Sequence, residues 1–538
     1  MKDISSTGSF INFYLNNYIY VDKTKYIRDL IKLERVFISR PRRFGKSLTL
    51  DTIATLFETG VEPYFKGTWI YDKWKEPTYP VLRLNFLDLD KYSLEHFKQK
   101  LNAIISSFAR DINVKNYEEK VEPEDTIYFL LDELRKEKRQ IVILIDEYDC
   151  QMTANINNET LYKQFQEKIK SFYATIKNKW AIKFLLITGV TKTKNSSVFS
   201  GTDINDITNY SPYSQMIGFT RDEIKKYYID YLKLASSYEN NCSVDNVTDE
   251  QIESMLDMMA QNYDGYCFDE FYKKKVFSTW SVNSFFQSII ENKFVDFGDY
   301  WYDNGGLPSI LVNYLKTHKL NSLDYVEKDK TITIRVNDFK NPTSLTSISQ
   351  NVLMCQTGYL TLRSPVYSKG FMTLGIPNSE VYNALLSLMA LNIFDDTKLE
   401  NVNEQILSQS KDVGEIIELF NTVLNTVSYD NYPISSEAVV QQLLYMYLKG
   451  ICNSVSAELH SSKGRADLVI ESDNRRIVFE FKYAKNEIEA KVKLSEAIEQ
   501  IKTRDYGNIV PKKAELLRIA AVFNADPKVR AFTEYHEV

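Results

Sequence analysis

Cysteine is scarce in this chain, with five in 538 residues. Cys150, Cys242, Cys267, Cys355 and Cys452 are scattered without a paired short spacing, which argues against a disulfide framework or a zinc site. Reduced, buried thiols are expected. Long apolar runs are also missing: Ile141 to Ile145 and Phe184 to Ile187 fall far short of the ~20 residues that cross a bilayer, so no membrane partner is expected. The opening Met1-Lys-Asp-Ile-Ser-Ser-Thr-Gly has no apolar stretch of the secretion-signal kind, and a cytoplasmic location is the expectation. With only 18 Gly and 13 Pro, low-complexity linkers are scarce and the domains should abut. Nor is there an excess of positive charge. The net charge is −6, so the chain lacks the general attraction to phosphate backbones that many nucleic-acid binders show, and any such binding must come from a local groove.

What is present is the composition of several packed cores, 44% apolar and 26% charged, at a length that implies a multidomain α/β protein. Four stretches follow. Residues 1–215 alternate apolar strand-like runs (Arg35-Val-Phe-Ile-Ser, Val81-Leu-Arg-Leu-Asn-Phe, Ile141-Val-Ile-Leu-Ile, Lys183-Phe-Leu-Leu-Ile-Thr) with helical segments, the pattern of a parallel sheet covered on both faces. Residues 216–320 read as a helical lid that begins at Thr220, with Glu223 completing a capping box. Residues 321–430 mix strand-like Thr331-Ile-Thr-Ile-Arg-Val and Gly358-Tyr-Leu-Thr-Leu with helices and suggest no chemistry. Residues 431–538 form a second α/β unit: a helix from Ser435-Ser-Glu, a hairpin of Ala466-Asp-Leu-Val-Ile and Ile477-Val-Phe-Glu-Phe, and an amphipathic helix through Gln500.

Residues 1 to 50 carry ten Lys/Arg against four Asp/Glu, and this local charge surrounds a phosphate-loop pattern. Ile38-Ser-Arg-Pro-Arg-Arg-Phe-Gly-Lys-Ser follows a strand and opens a helix, the context such a loop needs. Gly45 permits close backbone approach, the helix N-terminus and successive N–H groups face the anion, Lys46 reaches the outer phosphates and Ser47 ligates Mg²⁺. One departure is that Arg40 stands where the pattern's first glycine belongs. The partner strand Ile141-Val-Ile-Leu-Ile ends in Asp146, placed for the metal shell, and Glu147, placed to orient or deprotonate the attacking water. Thr188, ending a third strand, is a candidate sensor of the terminal phosphate. Arg42, Arg43, Phe44, Gly45, Lys46, Ser47 and Leu48 with Asp146 and Thr188 make the expected nucleotide set, and Ser47 and Asp146 the metal pair. The bland alternative is a solvated basic turn beside a core strand with incidental acids.

A second constellation lies near the end. In a strand Glu480 and Lys482 share one face with Val478, while Phe479 and Phe481 take the other. If Asp467 faces them from the adjoining strand, the two acids can hold a hard cation and the Lys can steady developing negative charge, as metal-assisted phosphodiester hydrolysis requires. Glu437 and Gln500, each on a helix, are auxiliary candidates, with Tyr506 beyond. The competing reading makes Glu437 only a favourable acid at a helix N-terminus and Glu480 with Lys482 only a same-face salt bridge. Residues 431–538 hold sixteen basic and fifteen acidic residues, so no nucleic-acid footprint is visible there.

Taken in order, Tyr20-Val-Asp-Lys-Thr, Arg40-Pro-Arg-Arg-Phe-Gly-Lys-Ser, Ile145-Asp-Glu-Tyr-Asp, Thr188-Gly-Val-Thr-Lys, Tyr263-Asp-Gly-Tyr, Gln356-Thr-Gly-Tyr-Leu, Gly375-Ile-Pro-Asn, Gly464-Arg-Ala-Asp and Glu480-Phe-Lys resemble a family of predicted AAA-ATPase-like proteins with a C-terminal PD-(D/E)XK nuclease superfamily domain. The resemblance implies an additional-strand, AAA-like P-loop NTPase fold in front and a restriction-endonuclease-like fold behind, with Arg40 ordinary for the family. It also implies catalytic positions for Asp467, Glu480 and Lys482, with Glu437 and Gln500 auxiliary; the residues themselves suggest Asp467 and Glu480 as metal ligands and Glu147 as the catalytic acid-base group at the front. The expected activity is ATP hydrolysis with Mg²⁺ controlling a nuclease that uses Mg²⁺ or Mn²⁺ on DNA or RNA. The rival is a nucleotide-operated switch whose back domain binds a partner without cutting. A homo-oligomer, with an arginine supplied in trans, stays open.

Overall fold

The computed structural model describes the chain apart from residues 178, 194–203, 304–308, 316–317, 319–324, 326–327, 368, 394–406, 408–409, 411, 428–432, 452–454, 462–463, 473–474 and 505–514. The hairpin turn expected around 473–474 and Tyr506 lie outside the described residues. Two compact units emerge: residues 1–319 with 328–382, and residues 320–327 with 383–538. The stretch 321–430, to which the sequence assigns no chemistry, is therefore divided between them.

The first unit is built on β1 (Arg35–Ser39), β2 (Val81–Asn85), β3 (Ile141–Asp146), β4 (Ile182–Gly189) and the two-residue β5 (Asn205–Asp206), all parallel, in the order β2-β3-β4-β1-β5. Every residue of β3 is buried, which is why its apolar run is continuous rather than alternating. Strand β4 stands between β1 and β3, so the loop-bearing and acid-bearing strands are separated by an additional strand. The register pairs Ile38 with Thr188 and Asn85 with Asp146, which gathers these strand ends at the carboxyl edge of the sheet, where open α/β sheets place their ligands.

Helix α1 (Lys46–Thr59) leaves β1 through the loop. The helices α2 (Arg221–Tyr227), α3 (Asp249–Tyr263) and α4 (Thr279–Asn292) pack around Leu256, Met259, Phe285 and Phe286, with Tyr228 stacked on Phe286 at 5.3 Å between centroids. Thr220 and Glu223 form the reciprocal capping box of α2. A small antiparallel sheet of β6 (Ile332–Arg335), β7 (Thr361–Leu362) and β8 (Phe371–Gly375) and the helix α5 (Gln350–Thr357) complete the unit. The run beginning at Gly358 keeps only two strand residues, because Gly358 ends α5 in a left-handed conformation.

The second unit carries β9 (Val455–Ser461), β10 (Gly464–Ser472), β11 (Arg475–Ala484), β12 (Glu515–Asn524) and β13 (Ala531–Glu537) in spatial order, with β11 and β12 parallel and the other pairs antiparallel. Helix α6 (Val413–Thr426) covers one face: Phe420 lies 5.1 Å from Phe479 and contacts Phe481 and Phe532. Helix α7 (Glu437–Ile451) precedes the sheet, and α8 (Glu487–Arg504) joins β11 to β12, with Ala497 and Ile501 against Val469 and Val478. Among the described residues no helix is long and apolar enough to cross a membrane.

Phe420→Ala removes the centre of the four-ring cluster. It is expected to destabilise the second unit by about 3–5 kcal/mol, read as a lower urea midpoint for that unit; an unchanged midpoint would count against this packing.

Candidate functional site

The turn after β1 is shaped by two left-handed residues, Arg43 (φ 70°) and Gly45 (φ 96°). A Cβ at Gly45 would meet nothing closer than the Thr279 hydroxyl at 4.0 Å, so backbone conformation, not space, asks for glycine. Arg40 does not have positive φ, which explains how the loop turns without a glycine there. At the start of α1, the Ser47 hydroxyl donates to Asp146 Oδ2 at 2.6 Å. Thr188, 1% exposed, donates to Asp146 Oδ1 at 2.5 Å. Asp146 thus joins the loop helix to β4, and the Thr188 hydroxyl sits behind the carboxylate.

Lys46 is buried; its Nζ donates to the carbonyls of Arg40 (3.1 Å) and Pro41 (3.2 Å) and lies 3.5 Å from Glu147 Oε1. Glu147 has φ 51°, a costly conformation outside glycine, in the turn that follows β3. Burial raises its carboxyl pKa and Lys46 pulls it back, while Asp149 and Asp146 push it further up.

Arg42, Arg43, Phe44, Gly45, Lys46, Ser47, Leu48 and Glu147 all line one cavity of about 590 Å³, within the range of small-molecule sites. Asp146 lines an adjoining cavity of about 180 Å³ that shares Ser47 and Gly8 with the first. The rest of the larger wall comes from residues to which sequence reasoning gave no role, among them Ser6, Ile19, Phe219 and Trp280, together with Tyr20, Val21 and Lys23, which carried a signal as part of Tyr20-Val-Asp-Lys-Thr.

That motif is a joint. Asp22 accepts from the Thr24 and Trp69 N–H groups, and Lys23 Nζ donates to Glu223 and to the Gln215 carbonyl, tying the N-terminal segment to the cap of α2. Later motifs of the first unit converge on the loop. Tyr266 packs edge-on against Phe44 at 4.7 Å. A Cβ on Gly265 would fall 2.2 Å from the Pro377 carbonyl, and one on Gly358 would fall 2.9 Å from Pro41. The Arg43 carbonyl accepts from Thr279 Oγ1 and the Trp280 N–H, and the Arg43 guanidinium lies over the Trp280 ring. Residues 328–382 thus buttress the phosphate loop.

In the second unit the ladder pairs Leu468 with Phe479, which sets Asp467 beside Glu480; Asp467 Oδ2 accepts the Phe481 N–H at 2.8 Å. Lys482 Nζ donates to Glu480 Oε1 (2.7 Å), the Phe481 carbonyl (3.0 Å) and Glu437 Oε1 (3.3 Å). Glu480 is 1% exposed and its Oε2 is buried without a hydrogen-bond partner. Burial, then the Asp467 charge, raises the Glu480 pKa to about 7. Burial lowers that of Lys482, but Glu480, Glu437 and Asp467 outweigh it and the net shift is upward. Asp467, Glu480, Lys482 and Glu437 are thus brought together; Gln500 lies on α8 between Ala497 and Ile501, which pack on the sheet. Among the described residues no group of three or more His, Cys, Asp or Glu side chains is assembled to hold a metal. The orphaned Glu480 oxygen beside Asp467 fits a hard cation with two acidic ligands.

Residues 5–199 match the family model described as Predicted AAA-ATPase, and residues 435–532 match that of the PD-(D/E)XK nuclease superfamily. An uncharacterized protein in the vnfD 5′ region of Azotobacter chroococcum mcd 1 is 26% identical over 533 residues, covering 95% of this chain and 94% of that protein. The crystal structure of Cdc6p from Pyrobaculum aerophilum aligns with 68% of this chain and 92% of its own at 10% identity, with a TM-score of 0.22, a likeness too loose to carry weight.

Because the folded form keeps the Glu480 proton up to about pH 7 while an ordinary carboxyl releases it near 4.5, this group's stabilising contribution is full below about pH 4.5. It is lost as pH rises through about 7. Measured against Glu480→Gln, the wild type should lose up to about 3 kcal/mol of stability across that window. Parallel urea-midpoint profiles for the two proteins would contradict the raised pKa.

Proposed function

With an AAA-ATPase-like domain in front and a PD-(D/E)XK superfamily domain behind, we propose that this chain binds and hydrolyses ATP with Mg²⁺. We propose further that the nucleotide controls metal-dependent cleavage of nucleic acid by the second unit. The observation that carries the reading is the contact of Ser47 with Asp146 beside Lys46 and Glu147, along a cavity large enough for a nucleotide. Ser47 and Asp146 would hold the magnesium ion, which supplies neutralising charge to the phosphates. The N–H groups of the loop and of the first turn of α1 bind phosphate oxygens. Lys46 exchanges its carbonyl partners for the outer phosphates. Ile19, Tyr20, Val21 and Phe219 offer an apolar wall for the base. Glu147, whose raised pKa favours taking up a proton, accepts one from the attacking water.

In the second unit Asp467 and the free oxygen of Glu480 would hold Mg²⁺ or Mn²⁺, which activates water and neutralises the phosphate. Lys482, fixed by Glu480 and Glu437, presents its ammonium to the charge that develops on the phosphate oxygens. The competing reading, a nucleotide-operated switch that binds a partner without cutting, draws on the Lys482 ammonium that already occupies one Glu480 oxygen and on the balanced charge of residues 431–538.

Lys46→Ala is expected to abolish ATP binding in calorimetry, and Glu147→Gln to retain binding while turnover falls by about 10²–10⁴. Incubated with mixed DNA and RNA, ATP and Mg²⁺ or Mn²⁺, the wild type should cut, Asp467→Ala and Lys482→Ala should not, and Lys46→Ala should lose the dependence on ATP. Cleavage undiminished in Asp467→Ala sinks the nuclease assignment; no cleavage by the wild type under any of these conditions favours the switch.

A further inference from the structure

The first unit holds another cavity, of about 470 Å³, bordered by the N-terminal segment, residues 64–68 and residues 226–231 at the end of α2 and beyond. It shares Phe13, Ile19 and Tyr20 with the nucleotide cavity, and nothing in the nucleotide reading uses it. Eight of its sixteen lining residues are Phe or Tyr. The rings differ in depth: Phe10, Phe13 and Tyr231 are buried, Tyr18, Tyr64 and Tyr227 are half-buried, and Tyr14 is 46% exposed. Tyr14 and Tyr64 meet edge to face at 5.5 Å between centroids, a contact that covers at most one face of either ring.

The charged groups of the lining are Lys2, Lys66, Lys226, Asp22 and Asp230, a positive balance of three to two. All three lysines are exposed. Asp22 turns its carboxylate to the Thr24 N–H and hydroxyl and to the Trp69 N–H, which leaves Asp230 as the exposed acid. Flat apolar surface therefore lies within the cavity and ammonium groups stand in solvent around it. A concave set of accessible rings is a place for a ligand with a π-face, and lysines beside it add attraction for an anion. This is the kind of local groove that a chain of net negative charge needs in order to hold nucleic acid.

We infer that the cavity receives an unstacked base of a single-stranded nucleic acid, with the base against Tyr14, Tyr18 and Tyr64 and the phosphate backbone passing Lys2, Lys66 and Lys226. Rings that stack bases, combined with cations along the backbone, hold single strands with little regard to sequence. In a duplex the base faces are covered by their neighbours and cannot reach such rings without being flipped out. A free mononucleotide is the poorer fit, because exposed lysines meet a backbone that runs past the cavity, not a phosphate enclosed in it. The inference rests on the nucleic-acid reading above and narrows its substrate class to single strands. Binding needs neither ATP nor metal, so a failure to bind is distinguishable from a failure to cut.

The test is fluorescence anisotropy of the full chain, without ATP or divalent metal, using a labelled oligothymidylate of about twelve residues and a labelled duplex of the same length. The strand should bind at least about tenfold more tightly than the duplex, and Tyr14→Ala and Tyr64→Ala should each weaken strand binding about fivefold or more; neither residue lines the nucleotide cavity. Lys66→Ala and Lys226→Ala should each reduce the slope of log affinity against log salt by about 0.7. Tyr128→Ala, which removes an exposed ring outside this cavity, should change nothing. If a ring variant does not fold, the two lysine variants decide. The inference is overturned by a wild type that does not bind the strand or binds the duplex equally, by thymidine monophosphate displacing the strand at equal concentration, by an equal loss in Tyr128→Ala, or by wild-type affinity and salt slope in the folded variants.

Discussion

The first unit turns on one buried carboxylate. Asp146 ends a strand with no exposed residue, accepts from Ser47 at the start of the loop helix and from Thr188 on the neighbouring strand, and so fixes three chain segments at the carboxyl edge of the sheet. A carboxylate 9% exposed would be expensive to desolvate without such donors. These two hydroxyls and the Glu147 N–H, which donates to Oδ1 at 3.0 Å, are all neutral donors, so none of them is a counter-ion. A cation brought to Ser47 therefore finds an acid already oriented, with no rearrangement of the strand that carries it.

Around that point the fold builds stiffness from distant segments. Phe44 is packed by Tyr266 and Phe268, the carbonyls of Arg42 and Arg43 accept from Trp301, Thr279 and Trp280, and Gly358 lies close on Pro41. Glu380, itself buried, accepts from Ser281 and from the Trp301 N–H. The left-handed backbone at Arg43 (φ 70°) costs energy that local sequence does not repay; these contacts hold it. Preorganisation of this kind lets a loop bind phosphate without first ordering itself.

The strands β1, β3 and β4 were legible because a strand buried on both faces is a largely continuous apolar run, β2 because only the exposed Arg83 interrupts Val81, Leu82 and Leu84, and the Thr220 to Glu223 box because capping is local chemistry. Asp146, Lys46 and Ser47 followed from strand-loop-helix order alone. The role of residues 328–382 was not legible: Gly358 and Pro377 matter through what they touch, and nothing near them in the chain names Pro41 or Gly265. The two-residue β5 has too few positions for any period to show. In the second unit, alternation along β11 places Glu480 and Lys482 together, but Asp467 reaches the site through the Phe481 N–H, a contact visible only once the strands pair.

The most direct measurement is a crystal structure of the full chain with a non-hydrolysable ATP analogue and Mg²⁺. The account predicts phosphates at the N–H groups of residues 43–47 with Lys46 Nζ on their oxygens and the metal on the Ser47 hydroxyl at about 2.1 Å. An analogue bound elsewhere, or a metal ion remote from Ser47 and Asp146, would contradict it.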